Sequence, residues 1–314
     1  MGRIVSVGSI NLDYTARVTG QWIAQQRAEY PWFPAAGATV GVETVPDALG
    51  DAYDHLSLGG KGANQAVAAA AMGADVALVG AVGTDGTLPV GPLLRARGVD
   101  VGPLEAVEGP TGRAYVAVDE EGENYIIMRS GANALVTEAM VHDARERIRA
   151  ADVVCLQNEL PQAVTMAVLD GLEGTEERPT VIFDPSPIDG AAAVLAHPVV
   201  DITKPNAHEY DALSAAWSDF AGVICQTRGP ETVLIEGADT DRPTRHPPRV
   251  SAVNTTGAGD IFIGTLAAAL AAGVDLDPAI DRAMVAGSLA VQLPTVHQSV
   301  PAPAAVDAVV HADR

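Results

Sequence analysis

The sequence predicts an α/β fold: a three-layer αβα sandwich on a mostly parallel central sheet, with a small β-sheet lid. Three observations predict it. Short apolar runs rich in β-branched residues recur along the chain, helical patterns lie between them, and two segments interrupt the alternation. The runs cover residues 4–7, 76–82, 153–156, 181–183, 200–203, 223–225 and 233–235. Being apolar at consecutive positions, they suit strands covered on both faces. Helical patterns fall at 64–72 and 137–150. The first interruption, residues 14–58, is rich in Gly, Pro and aromatics and has no clean helix period. The second reads as a hairpin, with Ala114–Val118 and Tyr125–Met128 joined by an acidic turn. Together, residues 14–58 and about 110–130 form a lid over the C-terminal strand ends, where open α/β sheets bind ligands. The whole chain, 1–314, is one domain.

Composition narrows the function. The 314 residues carry a formal charge of -21, with 40 acidic against 19 basic side chains. That balance opposes binding to nucleic acid and to anionic membranes. It leaves room for a phosphate ligand held by backbone N–H groups. Of the basic residues only Lys61 and Lys204 are lysines; the rest are arginines. At 48% hydrophobic the chain can bury a sizeable core. Cys155 and Cys225 lie in apolar runs and read as buried free thiols in a reducing compartment. No metal-spaced Cys/His cluster, signal peptide or membrane-length apolar run stands out, so a cytoplasmic protein is expected.

Five motifs carry chemistry. In Asn254-Thr255-Thr256-Gly257-Ala258-Gly259-Asp260 a glycine-rich turn leads into an apolar helical segment. Glycines let N–H groups converge on a ligand, and a helix start adds partial positive charge, which suits a transferring phosphoryl group. Asp260 is an ordinary N-cap on the simple view. A carboxylate beside an anion site has a reason to be there if it does chemistry. The second motif is Gly59-Gly60-Lys61-Gly62-Ala63-Asn64. It fits neither a Walker A loop nor a dinucleotide fingerprint. It reads as a tight turn with an Asn cap, or as a polar nest with Lys61 and Asn64 as donors. The third, Asn11-Leu12-Asp13 at the end of the first strand, puts two polar side chains on one face, suited to sugar hydroxyls or to a plain Asx turn. The fourth, Lys204-Pro205-Asn206-Ala207-His208-Glu209, has capping-box spacing, with a role for Asn206 and Glu209 near a hydrated Mg²⁺ as the functional reading. The fifth, Thr227-Arg228-Gly229, follows a strand where a nucleotide would lie.

In this order the motifs resemble the PfkB or ribokinase-like family of sugar kinases, over nearly the whole chain. Residues 59–83 look like its first signature and 254–266 like its second. Asn11-Leu12-Asp13, the Gly59–Ala66 stretch and Ser130-Gly131-Ala132-Asn133 look most like the ribokinase branch. The resemblance implies ATP-dependent phosphorylation of a primary hydroxyl, most directly that of D-ribose. It makes Asp260 the general base and the N–H groups of Thr256, Gly257, Ala258 and Gly259, with Mg²⁺, the anion cradle. Asn11, Asp13, Gly59, Gly60, Lys61, Asn64 and Glu159 would hold the sugar. Asn206, Thr227, Gly229, Gly257 and Gly259 would lie on the nucleotide side, and the lid would form a homodimer. A K⁺ site would involve Asn254 and Thr256. The family usually has Asp where Asn254 stands and a Gly in the loop at 293–299, and both departures weigh against K⁺ activation. Lys204 before Pro205-Asn206 resembles the phosphofructokinase branch. Fructose, a sugar phosphate or a nucleoside are the in-family alternatives, with Arg113 and Arg129 as the lid cations a sugar phosphate would need. A non-catalytic sugar-binding regulator is the alternative of another class.

Overall fold

A computed structural model of the protein describes residues 2–293 and 300–312. The large sheet has ten strands among the described residues, in the order Thr244–Arg245, Val233–Glu236, Val223–Thr227, Ile202–Thr203, Thr180–Asp184, Val153–Gln157, Arg3–Val7, Asp75–Gly83 and Val99–Asp100, with Leu104–Val107 also on Asp75–Gly83. All pairings are parallel except those of Val233–Glu236 and Thr244–Arg245 at one edge.

Helices cover both faces, which explains the uniformly apolar strands. Ile4, Leu78, Val153 and Ile182 pack with the helices Lys61–Ala71 and Ala258–Ala271. Their neighbours Val5, Val79, Val154, Val181 and Phe183 join the opposite layer, with Val164 and Leu169 of the helix Gln162–Leu172. Cys155 and Cys225 are buried and free, and burial pushes both thiols up to about 12. No helix among the described residues is long and apolar enough to cross a membrane.

The small sheet runs Thr39–Gly41, Asn124–Arg129, Gly112–Val118, Asn11–Arg17, His55–Gly59. Paired residues share a face. One face presents Asn11, Asp13 and Thr15 with Ala114, Val116 and Ser57. The other presents Tyr14, Ala16, Tyr115, Ala117, Tyr125 and Ile127. Ile23, Phe33, Leu49 and Tyr53 of the 20–53 excursion pack on this second face. Trp22 meets Phe33 and Tyr53 edge-on, and Tyr14 stacks on Tyr115 at 5.0 Å between centroids. The apolar lid face is packed by the chain's own residues.

Several local expectations change. The segment 14–58 holds a helix, Gly20–Glu29, capped by Thr19, whose hydroxyl accepts from the Trp22 N–H. Its only buried residues are Ile23 and Gln26, so it has no apolar stripe for a period search to find. The helix expected at 137–150 breaks at Ala144 into Glu138–Asp143 and Arg145–Arg149. The run at 200–203 shortens to Ile202–Thr203. Asn11 and Asp13 do not end the first strand: they open Asn11–Arg17 of the lid, two apart on one face as expected.

Candidate active site

Small residues bring two helices together. A Cβ on Gly264 would lie 2.5 Å from the Gln65 carbonyl oxygen and 2.6 Å from Ala68 Cβ, so the backbones approach as only glycine allows. This contact sets Asp260, on the first turn of one helix, against Asn64 and Gln65 of the other. Asp260 Oδ2 accepts from Asn64 Nδ2 at 2.9 Å and Oδ1 from Gln65 Nε2 at 3.2 Å. Gln157 Nε2 in turn donates to Gln65 Oε1 at 2.7 Å. Asp260 is buried, and burial raises its carboxyl above the ordinary aspartate value, opposed chiefly by the Lys61 charge. It is not an N-cap. That place belongs to Gly257, left-handed at φ 76°.

The glycine turn is narrower as an anion cradle than the sequence suggested. The Thr256 N–H donates to Asn254 Oδ1 at 2.9 Å and the Ala258 N–H to the Thr255 carbonyl at 3.3 Å. The N–H groups of Gly257 and Gly259 have no acceptor among the described residues. The Asn254–Thr256 bond is the Asx turn that starts the motif. Of the rest of the expected cation site, residues 294–299 lie outside the described residues.

Lys61 opens its helix, and Gly60, not Asn64, is the cap, at φ 89°. Any Cβ at Gly60 would meet the Asn11 nitrogen at 2.6 Å and the Ser9 oxygen at 2.8 Å, so the loop lies on the lid strand. The Lys61 ammonium stands 3.7 Å from Asp184. Burial works against its charge, but Asp184, Asp260 and Glu159 outweigh it and hold the pKa above the ordinary lysine value. Glu159 accepts from the Ser9 hydroxyl and, at 3.4 Å, from the Lys61 N–H. Burial raises its carboxyl too. Asp13 is lifted to about 7, first by burial and then by Glu159 and Asp260. A Cβ on Gly59 would run into the Asp13 carboxylate. Asn11 is fixed by Asn133, whose Nδ2 donates to Asn11 Oδ1 at 2.8 Å and whose Oδ1 accepts from the Ile10 N–H at 2.9 Å.

Two cavities flank the glycine turn. One of 640 Å³ lies on the lid side, between Asp13, Thr15, Ser57 and residues 252–256. The other, of 790 Å³, is bordered by Lys61, Lys204, Asn206, Glu209, Thr227 and Gly229, together with Gly257, Gly259 and Asp260. Thr255 borders both. Asn206 and Glu209 form the capping box the spacing predicted: Glu209 Oε2 accepts from the Asn206 N–H at 2.7 Å and Asn206 Oδ1 from the Glu209 N–H at 2.9 Å. The box leaves Glu209 Oε1 without a protein donor among the described residues. A carboxylate oxygen left over at the border of this cavity fits a hydrated divalent ion held through water. His208 is exposed.

The structure brings the expected sugar-side residues to one end of the sheet around Asp260, and the expected nucleotide-side residues to the second cavity. It does not offer Arg113 or Arg129 to the site. Arg113 pairs with Asp85 at 2.7 Å, and both arginines share the lid face of Tyr115 and Ile127, opposite Asp13. Sequence reasoning misses Ser9, Gln65, Gln157 and Asp184, and it gives Asn133 no role. Asp184 has a readable signal: it ends an apolar strand at the ligand-binding edge. Elsewhere Asp170, Glu173 and His197 cluster like metal ligands. There the Val199 N–H donates to His197 Nδ1, so Nε2 carries the proton toward Asp170 and has no lone pair for a metal.

A carboxylate poised over a glycine turn, between a polyol-sized polar cage and a nucleotide-sized cavity, defines a small-molecule kinase site. Comparison with known proteins agrees. Residues 50–303 match the family model described as pfkB family carbohydrate kinase. The chain is 31% identical over 318 residues to ribokinase of Staphylococcus aureus, covering 95% of this chain and 96% of that one. It is 35% identical over 270 residues to ribokinase of Bacillus subtilis, covering 82% and 86%. It superimposes with a TM-score of 0.77 on ribokinase of Thermotoga maritima, at 26% identity, covering 99% of this chain and 100% of that one. The chain belongs to the pfkB family of carbohydrate kinases, on its ribokinase branch, and is an ATP-dependent enzyme of that class.

Proposed function

We propose that the chain phosphorylates D-ribose at its primary hydroxyl, giving ribose 5-phosphate and ADP. The observation that carries this reading is the cage of Asp13, Glu159, Asn11 and Asn64 around Asp260: carboxylates and amides suit neutral hydroxyls. Arg113 and Arg129 lie on the other lid face, while Arg17, four residues beyond Asp13 on its own face, borders the lid-side cavity. Asp260 takes the proton of the primary hydroxyl as its oxygen attacks the γ-phosphorus in line. Asn64 and Gln65 fix the carboxylate, and its raised pKa strengthens it as a base. The N–H groups of Gly257 and Gly259, without acceptors among the described residues, receive the negative oxygens. Glu209, and Asn206 through it, would hold a hydrated Mg²⁺, which supplies charge neutralisation on the phosphates. Lys61 is a compact donor in a glycine loop, its charge held by Asp184, so Lys61→Arg is not neutral.

The test is ADP release from ATP across sugars, sugar phosphates and nucleosides. Ribose as the best acceptor supports the reading. A better nucleoside, fructose or sugar phosphate replaces the substrate and leaves the kinase chemistry standing. Saturable ribose binding with no turnover of any acceptor would make the chain a sugar-responsive binding protein.

A further inference from the structure

Asp260 stands at the end of a line of buried amides. Gln65, which donates to its Oδ1, is 1% exposed, and so is Gln157, whose Nε2 donates to Gln65 Oε1 at 2.7 Å. The order of this line is forced from one end. A carboxylate has no proton to give, so Gln65 turns its NH₂ to Asp260 and its oxygen to Gln157. Gln157 must then turn its own NH₂ to Gln65. That orientation leaves Gln157 Oε1 buried with no donor among the described residues. A stranded carbonyl costs free energy that an apolar side chain would avoid. The fold makes room for it all the same: a Cβ on Gly8, just after the strand Arg3–Val7, would run into that oxygen. Gln157 ends the strand Val153–Gln157 and borders neither cavity beside the glycine turn, so neither acceptor nor nucleotide accounts for it.

We infer that Gln157 is a positioning residue for phosphoryl transfer: it holds the Gln65 amide in the one orientation that presents a donor, and not an acceptor, to the Asp260 carboxylate. Without that anchor Gln65 can turn its oxygen to Gly8 or to Asp260, and at Asp260 it sets acceptor against acceptor. The carboxylate then keeps Asn64 and loses the second of its two amide donors. The charges around Asp260 are Lys61, Lys204, Asp184, Glu159 and Asp13. All of them come from other elements, and a change of side chain at 157 leaves each in place. The inference rests on Asp260 as the base and on no particular sugar, so it is tested with whichever acceptor the screen selects.

The experiment measures kcat and KM of Gln157→Met and Gln157→Glu against the parent chain from about pH 6 to 9, beside Asp260→Asn. Methionine fills the space of glutamine and donates nothing. Its kcat falls about 10-fold, the worth of one hydrogen bond, while KM for acceptor and for ATP stays within about twofold. Glutamate donates when protonated and only accepts when ionised. At the acid end Gln157→Glu therefore turns over faster than Gln157→Met, and its kcat relative to the parent falls as pH rises and the line of amides reverses. A side chain that only fills space gives neither the rescue by glutamate nor its loss with pH. Near-parental kcat in Gln157→Met, or a glutamate variant no faster than methionine at the acid end, overturns the inference while an inactive Asp260→Asn leaves the base standing. Near-parental turnover in Asp260→Asn overturns both together. If Gln157→Met does not fold, Gln157→Asn, whose amide falls a methylene short of Gln65, is measured in its place and read by the same comparison.

Discussion

Asp260 owes its role to its neighbours more than to its own identity. Burial favours its protonated form, while two side-chain amides and the Lys61 charge favour the carboxylate. Asp260→Asn is expected to bind sugar and nucleotide but lose about 10²–10⁴-fold in kcat, the range for a positioned general base. Steady-state rates beside calorimetric binding check this. Asp13 makes a second prediction. Its carboxyl titrates near 7, against 3.8 for an unperturbed aspartate. Between those values the folded state holds a proton that the unfolded chain releases, so this group's contribution to stability declines as pH rises from about 4 to 7 and is flat above. Sugar hydroxyls need the ionised acceptor, so sugar KM rises as pH falls below 7. Asp13→Asn removes both trends, read from denaturant melts and KM measured from pH 5 to 8.

Among the elements, the contact between the Lys61 and Asp260 helices sets the reacting geometry. Gly264→Ala forces the helices apart at Gln65 and Ala68, costing about 1–3 kcal/mol as overpacking does. It also pulls Asp260 off its amides, so kcat falls together with Tm. Calorimetry and rates on the same preparation show whether the two move together. Much of this was legible in the sequence. Glycines around Lys61 and before Asp260 marked both loops, because few other reasons put three glycines beside a polar residue. The apolar runs marked the sheet, because strands buried on both sides cannot alternate. Gly20–Glu29 was not legible, since a helix lying on an aromatic cluster through Ile23 and Gln26 leaves no stripe. Nor was the pairing of Lys61 with Asp184, which only the fold brings together across the sheet edge. Arg113 misled for a related reason: a strand residue's face depends on register, which its identity does not reveal.

For the whole molecule, the lid cover decides assembly. An apolar sheet face packed by Ile23, Phe33, Leu49 and Tyr53 has little left to offer a second copy. Sedimentation equilibrium is expected to give a single species near the chain mass of 32.2 kDa. A dimer would locate the contact on another surface or require the cover to open. The acidic surface adds a kinetic expectation. With a net charge of -21 the protein repels ATP at long range. Raising ionic strength from about 0.05 to 0.2 M therefore lowers KM for ATP before it weakens any buried contact.

The covered lid also bears on how the enzyme responds to its substrate. Where two lids brace one another, closing one changes the work of closing the other, and the subunits communicate. A single chain whose lid is backed by its own residues has no such partner to answer to. Velocity then follows sugar concentration as a simple hyperbola with a Hill coefficient of one, and flux tracks supply without a threshold.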